Sequence, residues 1–329
     1  LNIGADLGFL DNRINLTVDW YKRDNFDLSG RVMTQGIGGQ IQKYGNVATM
    51  KSRGIEFSLS TKNIKTKDFS WTTDFIYSHM KNEVTKFNTS TRAFNLVSGI
   101  GFSREGYPVN SLFSYDFRGL NEDGVPTFIN EAGVLTSTDI NFQETERFDN
   151  LVYSGPSEPT DVGSFGNIFQ YKGLRLNVFI TYSFGNVVRL DPVFSSIYND
   201  LDAMPREFRN RWMTPGDERY TDVPAIVSSR QVRNDSKLSY AYNAYNYSTA
   251  RIAKGDFIRM KEISLTYDFP KRWIKKLRMS NLALKIQATN LFLIYADKKL
   301  NGQDPEFFNS GGVATPVPKQ FTLTLKIGL

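Results

Sequence analysis

The sequence predicts an all-β fold, a transmembrane β-barrel of antiparallel strands. Three observations carry that expectation. From Lys319 to Leu329 the chain alternates strictly: Phe321, Leu323, Leu325, Ile327 and Leu329 are apolar, while Gln320, Thr322, Thr324, Lys326 and Gly328 are polar or small. A strand places two such sets on opposite faces. The pattern recurs at Leu174, Leu176, Val178, Ile180, Tyr182 and Phe184, set against Arg175, Asn177, Phe179, Thr181 and Ser183. Each stretch fits the roughly 9–11 residues that a strand needs to cross a bilayer, one face to lipid and the other to a polar lumen. Lastly, short and long connections alternate along the chain, as they do in outer-membrane barrels.

Composition agrees. The chain has 329 residues, of which 14% are aromatic: 25 Phe, 16 Tyr and 4 Trp. Such an excess suits sheets and membrane-interface belts, where the ring and its polar tip prefer different solvents. Cysteine is absent, which excludes a disulfide framework, a thiolate metal site and a cysteine nucleophile. The net charge is +6 and the mean hydropathy −0.37. No apolar run reaches the roughly 18 residues of a transmembrane helix, but a barrel needs none, since only every second residue meets lipid. Leu1 opens without Met, basic region or apolar signal core. A mature product or a piece of something longer is expected.

Taken in order, 3–9 reads as a short, Gly-broken strand, followed by the turn dipeptide Asp11-Asn12. Ile14, Leu16, Val18 and Trp20 alternate with polar neighbours. The pattern dissolves over 26–53, where Gly36 to Gly39 and Tyr44-Gly45-Asn46 suggest a loop. Ile55, Phe57 and Leu59 restart it, and 63–68 is a polar turn. Phe69, Trp71, Phe75 and Tyr77 follow on one parity. Weaker strands are expected at 93–101 and 110–118, joined through 102–109. Segment 119–162 reads as a loop. Phe165, Phe169 and Tyr171 mark another strand, and Lys172-Gly173 is a minimal turn before 174–184. A long excursion spans 185–256, with a short helix near Met204–Trp212. The last strands are 257–269, 281–291 and 319–329.

Turns near 11–12, 63–68, 102–109, 172–173 and 270–280 are short. Connections 26–53, 119–162, 185–256 and 292–318 are long, and 82–92 is intermediate. With the C-terminus in the periplasm, every short turn falls on the periplasmic side. The count is about 11 strands, half of a 22-stranded barrel with a plugged lumen. The expected organisation is therefore one barrel domain over 1–329, with its plug and N-terminal strands outside this sequence.

Several stretches resemble the SusC/RagA family of TonB-dependent outer-membrane transporters. They are Asp256-Phe257-Ile258-Arg259-Met260-Lys261-Glu262-Ile263-Ser264-Leu265-Thr266-Tyr267 with Phe269-Pro270; Ala288-Thr289-Asn290-Leu291-Phe292; and Asp304-Pro305-Glu306. Trp212, Thr214-Pro215-Gly216-Asp217-Glu218 and Val223-Pro224 are similar too, as is Gly163-Ser164-Phe165-Gly166-Asn167 with Tyr171-Lys172. The resemblance covers most of the chain from about Gly106. It implies TonB-driven uptake of a glycan or peptide through the outer membrane of a Gram-negative, Bacteroidetes-like cell, with a SusD-like surface lipoprotein as lid. The family's plug and TonB-contacting segment are absent here, and its usual terminal aromatic is replaced by Leu329.

Candidate sites divide by chemistry. His79 is the only histidine and is read as an interfacial residue rather than a general base. Asp217 and Glu218 are adjacent, so on an extended chain they point apart; no enzyme is expected. Asn121-Glu122-Asp123-Gly124, and Asp297 with Asp304 and Glu306, offer oxygens suited to Ca²⁺ but lack EF-hand spacing, so solvated turns are preferred. The basic run Lys271–Arg278 is read as a connector, not a nucleic-acid surface. Trp212, Tyr220, Tyr240, Tyr242, Tyr245 and Tyr247 in the 185–256 excursion are the candidate ligand or partner contacts, because aromatic rings stack on sugars and anchor interfaces. Packing of the loop on itself is the competing reading. Lipid is expected against Leu174, Leu176, Val178, Ile180, Tyr182, Phe321, Leu323, Leu325, Ile327 and Leu329. The competing function is a soluble or surface-attached all-β binding module without transport.

Overall fold

The computed structural model describes residues 1–33, 36, 38–39, 41–88, 91–99, 104–192, 206–276, 279–307 and 318–328. The chain begins with β1 (Asn2–Phe9), β2 (Ile14–Met33), β3 (Gln42–Lys65) and β4 (Phe69–Phe87). A first excursion carries α1 (Ala93–Ser98), β5 (Ser111–Tyr115), β6 (Phe117–Leu120), β7 (Pro126–Ile129), β8 (Leu135–Thr136) and β9 (Leu151–Pro156). The hairpin of β10 (Asp161–Tyr171) and β11 (Leu174–Phe184) follows. A second excursion carries β12 (Val187–Arg189), α2 (Ser229–Asn234), α3 (Leu238–Asn246) and β13 (Ile252–Lys254). The chain then runs through β14 (Phe257–Asp268), α4 (Lys271–Lys276), β15 (Asn281–Ala296) and β16 (Gln320–Gly328).

Nine of these strands form one antiparallel sheet in the order β1-β2-β3-β4-β10-β11-β14-β15-β16. Register explains why this sequence makes a two-faced wall. One row across eight strands reads Leu7, Leu16, Leu59, Phe75, Phe165, Ile180, Met260 and Phe292. A neighbouring row on the opposite face reads Gly8, Asn15, Ser60, Asp74, Gly166, Phe179, Glu262, Thr289 and Gln320. Period 2 within strands and fixed register between them turn local alternation into an apolar face and a polar face. Gly166 lies beneath Phe179, where a side chain would crowd that ring. Aromatic side chains gather towards both ends of the apolar face. Phe75 stacks on Tyr182 with centroids 6.3 Å apart, and Trp71 on Phe169 at 5.6 Å.

The sheet does not close on itself. β16 pairs with β15, from Asn281↔Gly328 to Thr289↔Gln320, and β1 pairs with β2 alone. Both outermost strands are exposed along nearly their whole length.

The wall has nine strands among the described residues, against the expected 11 or so. Two corrections account for the difference. Segment 93–101 holds α1, because Ala93, Leu96 and Val97 recur at helical spacing and are buried together; Gly99, at φ 67°, ends the helix. Segment 110–118 holds β5 and the start of β6, which pair with β9 and β7 outside the wall. Nor is 26–53 a loop for most of its length. β2 and β3 keep pairing from Leu28↔Ala48 to Met33↔Gln42, with Gly30 opposite Gly45. Ladder bonds do not require apolar alternation, so a hairpin that runs on past the apolar face loses the pattern without losing the strands. A bulge at Asp27, φ 55°, absorbs the irregularity. The helix expected near Met204–Trp212 is a 3₁₀ turn at Arg206–Asn210; 204 and 205 lie outside the described residues. The turn at 270–280 contains α4.

Within the wall, connections 10–13, 66–68, 172–173 and 269–280 share one end. Connections 34–41, 88–160, 185–256 and 297–319 share the other.

Candidate functional site

In such a wall the functional surfaces are the polar face and whatever the long connections build. On the polar face Glu262 of β14 is the best-connected carboxylate. Asn177 Nδ2 donates to its Oε1 at 3.2 Å and Lys285 Nζ lies 3.8 Å away. Thr17 Oγ1 donates to Asp6 Oδ1 at 2.6 Å. Arg259, almost fully buried, pairs with Asp304 and, through Nε at 3.2 Å, with Glu306. This ties the 297–319 connection to β14.

The two long excursions fold together into a lobe with its own core. Ala93, Leu96 and Val97 of α1, Phe113 and Tyr115 of β5, Phe128, Ile140, Phe142 and Leu151 from the first excursion meet Ala244 and Tyr245 of α3 from the second. Tyr115 N–H donates to Tyr247 O at 3.1 Å across the seam. Arg189 of β12 is locked between them. Its Nη2 donates to Phe113 O at 2.7 Å and to Ser114 Oγ at 3.2 Å, and its guanidinium lies over the Tyr247 ring. Burial lowers the Arg189 pKa to about 10. Arg251, also buried, pairs with Glu207 and donates to Asp191 O. Neither arginine stood out in the sequence, where basic residues in a loop look solvated.

The six aromatic candidates separate here. Tyr242 and Tyr245 are 1% and 2% exposed and belong to the lobe core; burial pushes both phenols upward, Tyr245 to about 12. They are packing residues, and their contact role is corrected accordingly. Tyr247 is partly buried and meets Phe94 edge-on at 5.6 Å. Trp212 covers Gly124, whose φ is 72°, and its indole Nε1 donates to Glu218 Oε2 at 3.1 Å. Tyr240 is half-exposed, beside Phe142, and Tyr220 is 89% exposed.

Asp217 and Glu218 are turn caps. Asp217 Oδ2 accepts from the N–H groups of Met213 and Thr214, both at 3.0 Å, which holds its carboxyl below the usual range. Glu218 is held low as well, by its own backbone N–H, by the Trp212 indole and by the Gly216 N–H. Several of the oxygens considered for Ca²⁺ are similarly engaged. Asn121 Oδ1 accepts from the N–H groups of Asp123 and Val125, Asp297 from those of Lys299 and Lys254, and Asp304 and Glu306 face Arg259. No group of three acidic or histidine side chains converges among the described residues.

His79 Nδ1 lies 2.9 Å from Asp161 Oδ1, to which Tyr77 OH donates at 2.6 Å. The set sits where β4 and β10 leave the wall towards the lobe. In the basic connector Ile274 is buried, and Trp273 lies 6.2 Å from Phe269; 277 and 278 fall outside the described residues. Leu174, Leu176, Val178, Ile180 and Tyr182 share the apolar face with Phe321, Leu323, Leu325 and Ile327, while Leu329 is outside the described residues. That face also carries a polar chain missed in the sequence. Asn167 Oδ1 accepts from Trp71 Nε1 and Thr73 Oγ1, each at 2.8 Å, and Asn63 Nδ2 donates to Thr73 Oγ1 at 2.6 Å. Its signal was there to find: Thr73 and Asn167 break the apolar parity of their strands.

No family model matches the chain. Among curated proteins, TonB-dependent receptor P3 of Formosa agariphila is 26% identical over 324 residues, 93% of this chain and 30% of that receptor. TonB-dependent receptor SusC of Bacteroides thetaiotaomicron is 26% identical over 345 residues, covering 100% of this chain and 31% of SusC. The chain thus spans about a third of the relatives it matches. Among solved structures, the RagAB peptide transporter matches with a TM-score of 0.76 and 24% identity, over 100% of this chain and 35% of that one. The RagAB peptide importer in its open-open state matches with a TM-score of 0.75. An open antiparallel wall with one apolar and one polar face, the RagAB likeness in fold and the SusC likeness in sequence agree: this chain is similar, over its whole length, to part of a SusC/RagA-type TonB-dependent transporter.

Proposed function

We propose that this chain forms part of the barrel wall and an outer lobe of a TonB-dependent importer in the outer membrane. The observation that carries the reading is the pair of open edges. Ile3 is 60% exposed and Phe321 76%, so the apolar face runs to both rims of the sheet without closing. At membrane depth an unpaired N–H or C=O has no partner in lipid, and each costs several kcal/mol. β1 and β16 therefore require further strands, and a barrel of about 22 strands with a plugged lumen supplies them.

The cargo is a glycan or peptide, and a SusD-like lipoprotein covers the lobe from outside. Contact with TonB falls to residues outside this sequence. The likeness to the RagAB peptide transporter supports the peptide arm of this reading, and the likeness to TonB-dependent receptors supports the dependence on TonB. Tyr220 and Tyr240, the two exposed aromatics of the candidate set, are the contacts offered to cargo or lid.

The test is uptake by cells carrying the whole gene product, supplied with labelled oligosaccharides or labelled peptides, with and without TonB. Accumulation of one class that disappears without TonB is expected. A product recovered from the soluble fraction, with β1 paired to β16, would overturn the reading in favour of a binding module.

A further inference from the structure

β2, β3 and β4 carry a row of charges that the wall itself does not balance. Register places Lys22 opposite Arg53 and Arg53 opposite Lys81. All three lie on the same side as Trp20, Ile55 and His79, the row immediately below, and all three are exposed. The inward neighbours Tyr21, Ser52 and Gly54 are buried, which confirms the outward direction. None of the three cations has an ion-pair partner among the described residues. Like charges directly opposite across a ladder repel and destabilise it. The next row outward shows the remedy this row lacks: Lys51 there stands between Asp24 and Glu83.

Depth gives the row its meaning. Tyr77, Tyr182 and Trp20 make the outer aromatic belt of the apolar face. Lys22, Arg53 and Lys81 lie one strand repeat beyond Trp20, about 7 Å along the strand. That is the level of lipid headgroups, where aromatic belts end. Of the wall's central strands only β2, β3 and β4 extend to this level: Phe184 of β11 lies in the row of His79, and Tyr295 of β15 in the row of Tyr182, one and two repeats lower. Strand spacing of about 4.8 Å spreads the three cations over roughly 10 Å, the span of one phosphorylated sugar headgroup. A cleft of about 270 Å³ opens between Lys22, Lys51, Arg53, Lys81 and Glu83.

We infer that this row is a binding site for the phosphorylated headgroup of an outer-leaflet lipid, held on the outside of the wall. The Arg53 fork suits two phosphate oxygens, and the flanking lysines supply point charges. Acyl chains then lie along Trp20, Ile55 and the apolar rows beneath. The inference rests on the barrel reading and goes beyond it, since transport does not require a lipid site.

The test uses the complete protein, reconstituted in phosphatidylcholine vesicles with or without lipid A and followed by native mass spectrometry of retained lipid. Wild type is expected to retain lipid A. Replacing Lys22, Arg53 and Lys81 together by Gln should weaken retention about 100-fold, roughly fivefold per cation. Lys65→Gln, exposed at the opposite end of β3, should change it little. Millimolar inorganic phosphate should not displace the lipid. Unchanged retention in the triple variant, or full displacement by free phosphate, would overturn the inference while leaving the barrel intact. Wild type that enters neither vesicle would bring down the barrel reading and the site with it.

Discussion

Val178 and Asn177 are neighbours in β11 with opposite surroundings. Val178 stands between Asn167 and Ile263 on the apolar face, whereas Asn177 reaches Glu262 on the polar one. Arginine at Val178 should cost about 2–4 kcal/mol in a bilayer folding assay, and arginine at Asn177, facing a carboxylate, should be nearly neutral. In the lobe the contrast is between two tyrosines that look alike in sequence. Tyr245→Ala should destabilise the lobe by about 3–5 kcal/mol, the range for a buried aromatic. Tyr220→Ala should stay within about 0.5 kcal/mol, as exposed sites do. Thermal unfolding followed by tryptophan fluorescence separates them. A loss of uptake in Tyr220→Ala without a loss of stability would mark a cargo or lid contact. The sequence could not make this distinction. Aromatic rings serve cores and binding surfaces equally well, and only the fold decides which rings α3 turns inward.

At the scale of elements, legibility followed periodicity. β11 and β16 are legible because every second residue is apolar, and so are the short turns at 63–68 and 172–173. Beyond the apolar face that constraint lapses. The outer halves of β2 and β3 carry no such signal although their ladder continues, and α1 reads as a strand because six residues are too few to set a helical period apart from alternation. The short turn expected at 102–109 lies inside the 88–160 connection instead, and 34–41 is no longer than 269–280 at the opposite end; the alternation that remains is of the end each connection occupies. It predicts sidedness. An epitope inserted after Gly39 should be stained on intact cells, and one inserted after Lys67 only after permeabilisation. Staining of the second on intact cells would invert the orientation.

For the whole molecule, the wall was visible in the sequence and the lobe was not. A wall is made of neighbours, each strand beside the next but for the excursions, whereas the lobe joins residues as far apart as Ala93 and Tyr245. That difference sets an order of assembly. Hairpins such as β10–β11 can pair as soon as they are made. The lobe's core must wait until α1 and α3 are both present and β10 and β11, which lie between them in the chain, have been placed. Folding of the surface structure is thus a late event that depends on insertion, and insertion does not depend on it. A lesion such as Tyr245→Ala should then leave the rate of membrane insertion unchanged, while prolonging the interval in which the 88–160 and 185–256 segments are cut by added protease.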